Sequence, residues 1–296
     1  MLPVALIKKW IITGDTHGGV STITRISNIK RNNPGFKDGE LGVIILGDAG
    51  LNFYLNKTDK KHKKMLNDMG VKIYCVRGNH EQRPELIPGM HFENDFQVGN
   101  MTWVEEEFPN IRYFADGGNY IIDGHPTLVI GGAYSVDKYW RLIRAGYSKN
   151  DGAIADPKKC GWFKDECLTQ KEMTAIQESN VGKKFDLVLT HTCPFDWEPT
   201  DLFLGSIDQT TVDTSMEWWM NQVKDTFDWN IWLFGHFHAD RIERPHVQQF
   251  YMDYEDLDSI WNRWNGQCTY ADEWDLNKSP YMTLWDMETD YGKKSN

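Results

Sequence analysis

The chain has 296 residues, a mass of 34.4 kDa, and 40% hydrophobic and 25% charged residues, enough apolar material for a full core and far from the composition of a disordered polymer. Its net charge of −11 and pI near 5.3 argue against a general nucleic-acid binder, which would need clustered Lys and Arg. Cys75, Cys160, Cys167, Cys193 and Cys268 are odd in number and form no CxxC pair, so neither a disulfide framework nor a zinc ribbon is expected, and a reducing compartment suits them.

In chain order, residues 1–12 are apolar but interrupted by Pro3, Lys8 and Lys9, too short a stretch to cross a bilayer and without a small-residue cleavage site. No later run is long enough either, so a soluble, unprocessed, cytoplasmic chain is the expectation. Residues 10–13, 41–46 and 71–76 are short β-branched runs that end in Gly14-Asp15, Gly47-Asp48 and Gly78-Asn79. Continuous rather than alternating apolarity predicts strands covered on both faces, as in a mostly parallel sheet. After the first of them, residues 20–31 space Ile23, Ile26 and Ile29 along one helical face, and Asn33-Pro34-Gly35 stops the helix. Residues 56–69 predict a second helix. Extended runs at 111–114, 119–122 and 127–130, separated by Asp116-Gly117-Gly118 and Asp123-Gly124, predict hairpins in an antiparallel or mixed sheet. Helices are expected at 168–180 and 211–227, the latter with Met216, Trp219, Met220 and Val223 on one side. Two more apolar runs, 185–190 and 231–234, lead into His191 and into Gly235-His236-Phe237-His238. Beyond His238 the chain is acidic and rich in Trp and Tyr through Asp290, with a last strand expected at 281–285. No Pro, Ser or Gly linker interrupts the chain before that point, which predicts residues 1–245 as one catalytic domain and 246–296 as an extension packed on it.

Open α/β sheets hold ligands beyond the carboxyl ends of their strands, so side chains emerging there converge. Asp15, His17, Asp48, Asn79, His191, His236 and His238 all follow such runs. They offer oxygen and nitrogen donors and no thiolate, which suits Mn, Fe, Zn, Ni or Co. A pair of ions needs a bridging carboxylate, and the lone Asp48 is the natural one. Asp15 and His17 can reach a first ion, Asn79 and His191 a second, and His236 and His238 alternate along a strand end, one for each. Two cations so held can activate a water between them and clamp a phosphoryl group. His80 would stand beside them, suited to binding phosphate or to protonating a leaving oxygen.

The segments GDTHGG, LGDAG, RGNHE, THTCP and GHFH resemble, in order and in residue type, the five motifs of the calcineurin-like metallophosphoesterase family. The resemblance implies an α/β fold, a four-layered α/β/β/α sandwich of two mixed β-sheets flanked by helices. It also implies a dinuclear centre, with manganese the first candidate, and hydrolysis of a phosphate ester by in-line attack of a hydroxide bridging the two metals. By motif, one metal takes Asp15, His17, Asp48 and His238, the other takes Asp48, Asn79, His191 and His236, and His80 matches the family's catalytic histidine. A phosphomonoester is the favoured substrate. A phosphodiester such as a nucleotide or nucleic-acid end is the alternative, together with a non-catalytic interaction module that keeps the fold. One departure stands out: protein Ser/Thr phosphatases of this family continue the second motif with an Asp and an Arg, where this chain reads Asp48-Ala49-Gly50-Leu51-Asn52. That counts against a protein-phosphatase assignment and leaves His80 without its usual partner. The segment 131–138, with Trp162-Phe163 after it, is similar to a bacterial and phage branch of the family.

Other polar residues have plainer explanations. Asp137, Lys138, Arg141 and Arg144 could contact a substrate phosphate, but a solvated face accounts for them better; Arg77 suits a structural ion pair as well as a phosphate contact. His62, His91, His125 and His246 lie outside the motifs and suit packing or surface roles, and Cys193 reads as a core thiol.

Overall fold

The computed structural model describes residues 5–149, 153–154 and 160–265. Strands β1 (Lys9–Thr13), β2 (Leu41–Ile45), β3 (Lys72–Cys75) and β6 (Ile111–Tyr113) run parallel, and a hairpin of β4 (Met90–Asp95) and β5 (Asn100–Glu105) extends that sheet antiparallel. On its other edge lies β13 (Tyr254–Asp256), antiparallel to β1. The second sheet has the order β11 (Arg241–Arg244), β12 (Val247–Gln249), β10 (Asp228–Phe234), β9 (Lys184–Thr190), β8 (His125–Ile130) and β7 (Gly118–Ile122). Both sheets are mixed, so the parallel run read from residues 10–76 is only the centre of the first.

Alternation within each strand explains the layering. Trp10, Ile12, Ile44 and Tyr74 of the first sheet and Val129, Leu187, Leu189, Ile231 and Leu233 of the second share one apolar cluster between the sheets. The intervening Ile11, Val43, Ile45, Ile73 and Cys75 face outward, onto Ile26 and Ile29 of α1 (Gly19–Asn32) and Leu66 of α2 (Lys57–Asn67). On the far side Leu128, Val188, Trp232 and Phe234 meet Met173 and Ile176 of α4 (Gln170–Asn180) and Met216, Trp219, Met220 and Val223 of α5 (Ser215–Thr226). Three apolar layers thus separate four layers of secondary structure, the α/β/β/α sandwich. A short helix, α3 (Lys138–Arg144), lies between β8 and α4 in sequence. Of the segment beyond 245, β12 joins the second sheet, β13 the first, and Leu257 and Ile260 of α6 (Leu257–Asn265) enter the cluster between the sheets. The strand expected at 281–285 lies outside the described residues. Among the described residues no helix is long and apolar enough to cross a membrane.

One core residue ties stability to pH. Glu217 of α5 is 4% exposed; Thr192 Oγ1 donates to its Oε1 over 2.9 Å, and its Oε2 has no hydrogen-bond partner among the described residues. Burial above all, with the like charges of Glu198 and Asp213 adding to it, pushes its carboxyl up to about 7. The unfolded chain therefore releases this proton at lower pH than the folded one, so stability is full below about pH 4.5 and falls as pH rises through 7. We expect Glu217→Gln to stabilise the protein at pH 8 by on the order of 1–3 kcal/mol and to do little at pH 4.5, as read from urea midpoints. An equal shift at both pH values would rule out titration of Glu217 as the cause.

Candidate metal centre

The register of the strands brings the motif loops to one edge. Thr13 pairs level with Ile45 and Ile45 with Cys75, so the segments carrying Asp15, Asp48 and Asn79 leave the first sheet together. Ile130 likewise pairs with Thr190, and Leu189 with Leu233, which places His191 and the segment 235–238 beside one another. The sheets meet where Gly132 N–H donates to the Arg77 carbonyl over 2.7 Å.

Tight backbone geometry makes the convergence possible. His17, Asp48, His236 and His238 have φ of 52°, 47°, 71° and 56°, the left-handed region that costs a non-glycine residue energy and tends to survive at functional sites. Gly47 has φ +92°, and a β-carbon there would lie 2.0 Å from His191 Nδ1. At Gly78 a β-carbon would lie 2.0 Å from Asp48 Oδ1. Arg25, buried on α1, braces the first loop by donating to the carbonyls of Gly14, Asp15 and Tyr251.

All the expected donors lie in this one region. Asp15, His17 and His238 form one compact group, Asp15, Asp48 and His191 a second, and His17, Asp48 and His80 a third. Asp48 faces both ways, with Oδ1 3.5 Å from His191 Nε2 and Oδ2 3.8 Å from His17 Nδ1. Asn79 Oδ1 lies 2.9 Å from His191 Nε2. His236 stands outside the compact groups, its ring centroid 4.9 Å from that of His191 and its backbone N–H donating to Asp15 Oδ1 over 3.0 Å.

These donors fit cations on the structure's own evidence. Asp15 Oδ2 is buried without a hydrogen-bond partner among the described residues. The Nε2 atoms of His17 and His238 face each other at 2.9 Å. His191 donates Nδ1–H to the Leu46 carbonyl over 2.9 Å, which leaves the lone pair on Nε2 pointing at the oxygens of Asn79 and Asp48. A lone pair facing two acceptors is repulsive unless a proton or a cation lies between them, and a backbone carbonyl on the far nitrogen is the usual arrangement of a metal-binding imidazole.

Electrostatics point the same way. Burial acts to raise both Asp15 and Asp48. Asp15 nonetheless ends below the ordinary carboxylate range because His191, His238 and His17 surround it, whereas Asp48, beside the Asp15 charge, is held well above it. Two divalent cations would let both ionise. Burial likewise lowers His236 to about 3 and, with the Arg141 charge next in importance, His80 to about 2, so both are neutral at pH 7.

Several supporting residues were not anticipated. Asn79 Nδ2 donates to Ser135 Oγ over 2.9 Å, and Ser135 in turn donates to Glu166, which fixes the amide so that its oxygen faces His191. Ser135 follows β8 and Gly131-Gly132, the same signal of a strand run closed by glycine that marked the other loops. Arg141 corrects the expectation of a solvated face: it is 4% exposed, and its Nη2 lies 2.7 Å from Nε2 and 2.9 Å from Nδ1 of His80. Helical spacing turns Arg141 inward while Arg144 stays exposed. Arg77 is structural, paired with Asp116 at 2.8 Å and donating to the carbonyls of Glu166 and Gly131. Cys193 is a fully buried thiol, and His91, His125 and His246 contact Glu93, Asp186 and Trp264 away from the centre.

Two solved structures align with the chain at low identity. One crystal structure aligns over 85% of this chain and 96% of its own at 12% identity, with a TM-score of 0.46. That of TT1561 from Thermus thermophilus aligns over 84% and 98% at 12% identity, with a TM-score of 0.42. Neither likeness is high enough to carry a functional argument. No curated protein matches the sequence. The model of the calcineurin-like phosphoesterase family does match, over residues 9–240, a span that takes in every loop from Asp15 to His238, and the chain belongs to that family.

Proposed function

We propose that the protein is a metal-dependent phosphoesterase that prefers a phosphomonoester to a diester. The observation that carries this reading is Asp48, one carboxylate whose two oxygens face nitrogen donors from different loops, His191 and His17. When bound, two divalent cations would supply concentrated positive charge and lower the pKa of the attacking water, which would act in line on phosphorus. Asp15, His17 and His238 would hold one cation, Asn79, His191 and His236 the other, and Asp48 both. Manganese is the first candidate for a site of oxygen and imidazole donors. His80, whose backbone N–H donates to Asp48 Oδ1 over 2.8 Å, is positioned by the bridging residue itself. As a neutral imidazole it orients phosphate or the leaving oxygen through a ring N–H. An arriving anion would raise its proton affinity, so that it could take up a proton from solvent and pass that proton to the departing alkoxide, returning to the neutral ring.

The test compares chelator-stripped protein with protein reloaded with Mn, on a chromogenic phosphomonoester and its bis-ester. Stripping should abolish hydrolysis and reloading restore it. The melting temperature should rise with Mn, because each site filled to 100 times its Kd adds about 2.7 kcal/mol. Faster hydrolysis of the bis-ester, with salt-sensitive DNA or RNA binding, would favour the diesterase reading instead. No metal uptake and no hydrolysis of either ester would leave a non-catalytic interaction module.

A further inference from the structure

Arg141 is the only described arginine whose guanidinium contacts a side chain of the candidate centre. Arg25, Arg77 and Arg83 are as buried, but they spend their donors on backbone carbonyls and carboxylates that hold loops together. The Arg141 head is anchored on the side away from the centre: Nε donates to Asp137 over 2.8 Å and Nη1 to the Gly161 carbonyl. Asp137 is about half exposed, with 47% of its side chain open to water, so solvent screens its charge and leaves much of the arginine's positive charge directed at the site. That charge is felt at His17 and Asp48 as well as at His80. The neighbouring Lys138 is engaged elsewhere, its Nζ 4.5 Å from the centre of the Trp162 ring.

A guanidinium resting on an imidazole ring has at best one weak acceptor for a strong donor, and a phosphate oxygen would be a better one. We propose that Arg141 determines specificity in this site, gripping the additional negative oxygen that a phosphomonoester has and a diester lacks. The inference rests on the phosphoesterase reading above and goes beyond it by naming the group that discriminates between the substrate classes. A diester carries one negative charge fewer and puts a substituent where that oxygen would be, so it gains less from the same cation. His80, released when Arg141 turns to phosphate, becomes free to face the leaving oxygen.

The experiment measures kcat/KM of Mn-loaded protein for a chromogenic phosphomonoester and its bis-ester, in wild type, Arg141→Lys, Arg141→Gln and Arg141→Ala. Monoester hydrolysis should fall by about 100-fold in Arg141→Ala and Arg141→Gln, the loss typical of removing a preorganised donor to a charged oxygen. The bis-ester should lose much less, so that the monoester-to-diester ratio drops at least about tenfold. Arg141→Lys, which keeps the charge but not the planar fork, should fall between. A second measurement needs only the wild type: inorganic phosphate should inhibit more strongly than dimethyl phosphate. Equal loss of both esters would show that Arg141 merely holds structure. Equal inhibition by the two phosphates in wild type would overturn the proposal even if the variants failed to fold. If wild type hydrolysed neither ester, the proposal would fall together with the reading it rests on, a result distinct from either of these.

Discussion

Asp48→Asn is expected to lose hydrolysis by on the order of 10³-fold or more, beyond the 10- to 100-fold typical of removing a residue that only orients a ligand. The reason is geometric. Asp48 is 1% exposed, and its two oxygens serve two donor groups, so a neutral amide removes the one negative charge both cations would share. Metal analysis should show the content falling from two ions per chain to at most one. The fold should survive, since Asn tolerates the left-handed φ of 47° at this position and its oxygen can still accept the His80 N–H. The metal-free variant should even equal or exceed wild type in stability at pH 7–8. Asp48 is held well above its ordinary range by burial and by Asp15, so ionising it in the folded, metal-free protein is costly, and the cost grows as pH rises. Activity lost while stability is kept is a signature that simple misfolding does not produce. Full turnover with two bound ions in Asp48→Asn would remove Asp48 from the bridge.

Gly47→Ala should be nearly as damaging for a different reason. The position has φ +92°, and an added β-carbon would lie 2.0 Å from His191 Nδ1 and 2.4 Å from its Cγ, a fully buried ring held by the Leu46 carbonyl. Either the loop or His191 must move. Strained backbone of this kind costs roughly 1–3 kcal/mol, to which the overlap adds, so a substantial fall in the denaturation midpoint is expected. Displacing His191 also separates its Nε2 from Asn79 and Asp48, so the folded fraction should bind metal more weakly and lose at least about tenfold in activity. An alanine variant with wild-type metal affinity would show that this close approach does not position the imidazole.

Much of this architecture is legible in the sequence because the strands end in the same way. An apolar run buried on both faces, closed by glycine and followed by Asp, Asn or His, recurs at Asp15, Asp48, Asn79 and His236, and at His191 the run leads straight into the histidine. Each run reappears as a strand within a residue or so of its expected bounds at the loop-bearing end. The hairpin of β4 and β5 was not legible: its half-exposed strands mix Met90, Phe92 and Trp103 with charged neighbours, and burial on one face leaves no continuous apolar signal. The strands β11, β12 and β13 are only three or four residues long, too short to show a period of their own.

Residue type and order therefore determined which donors exist, that they emerge at strand ends, and that oxygen and imidazole predominate among them. Tertiary structure decided what sequence spacing could not. It set the level of each strand against its neighbour, the orientation of Asn79 through Ser135 and Glu166, and the inward turn that brings Arg141, sixty-one residues away in the chain, onto His80. The physical reason is that donor chemistry is a property of a single side chain, whereas the distance between two of them is fixed by strand register and by the packing of α3, which arise only when the layers assemble.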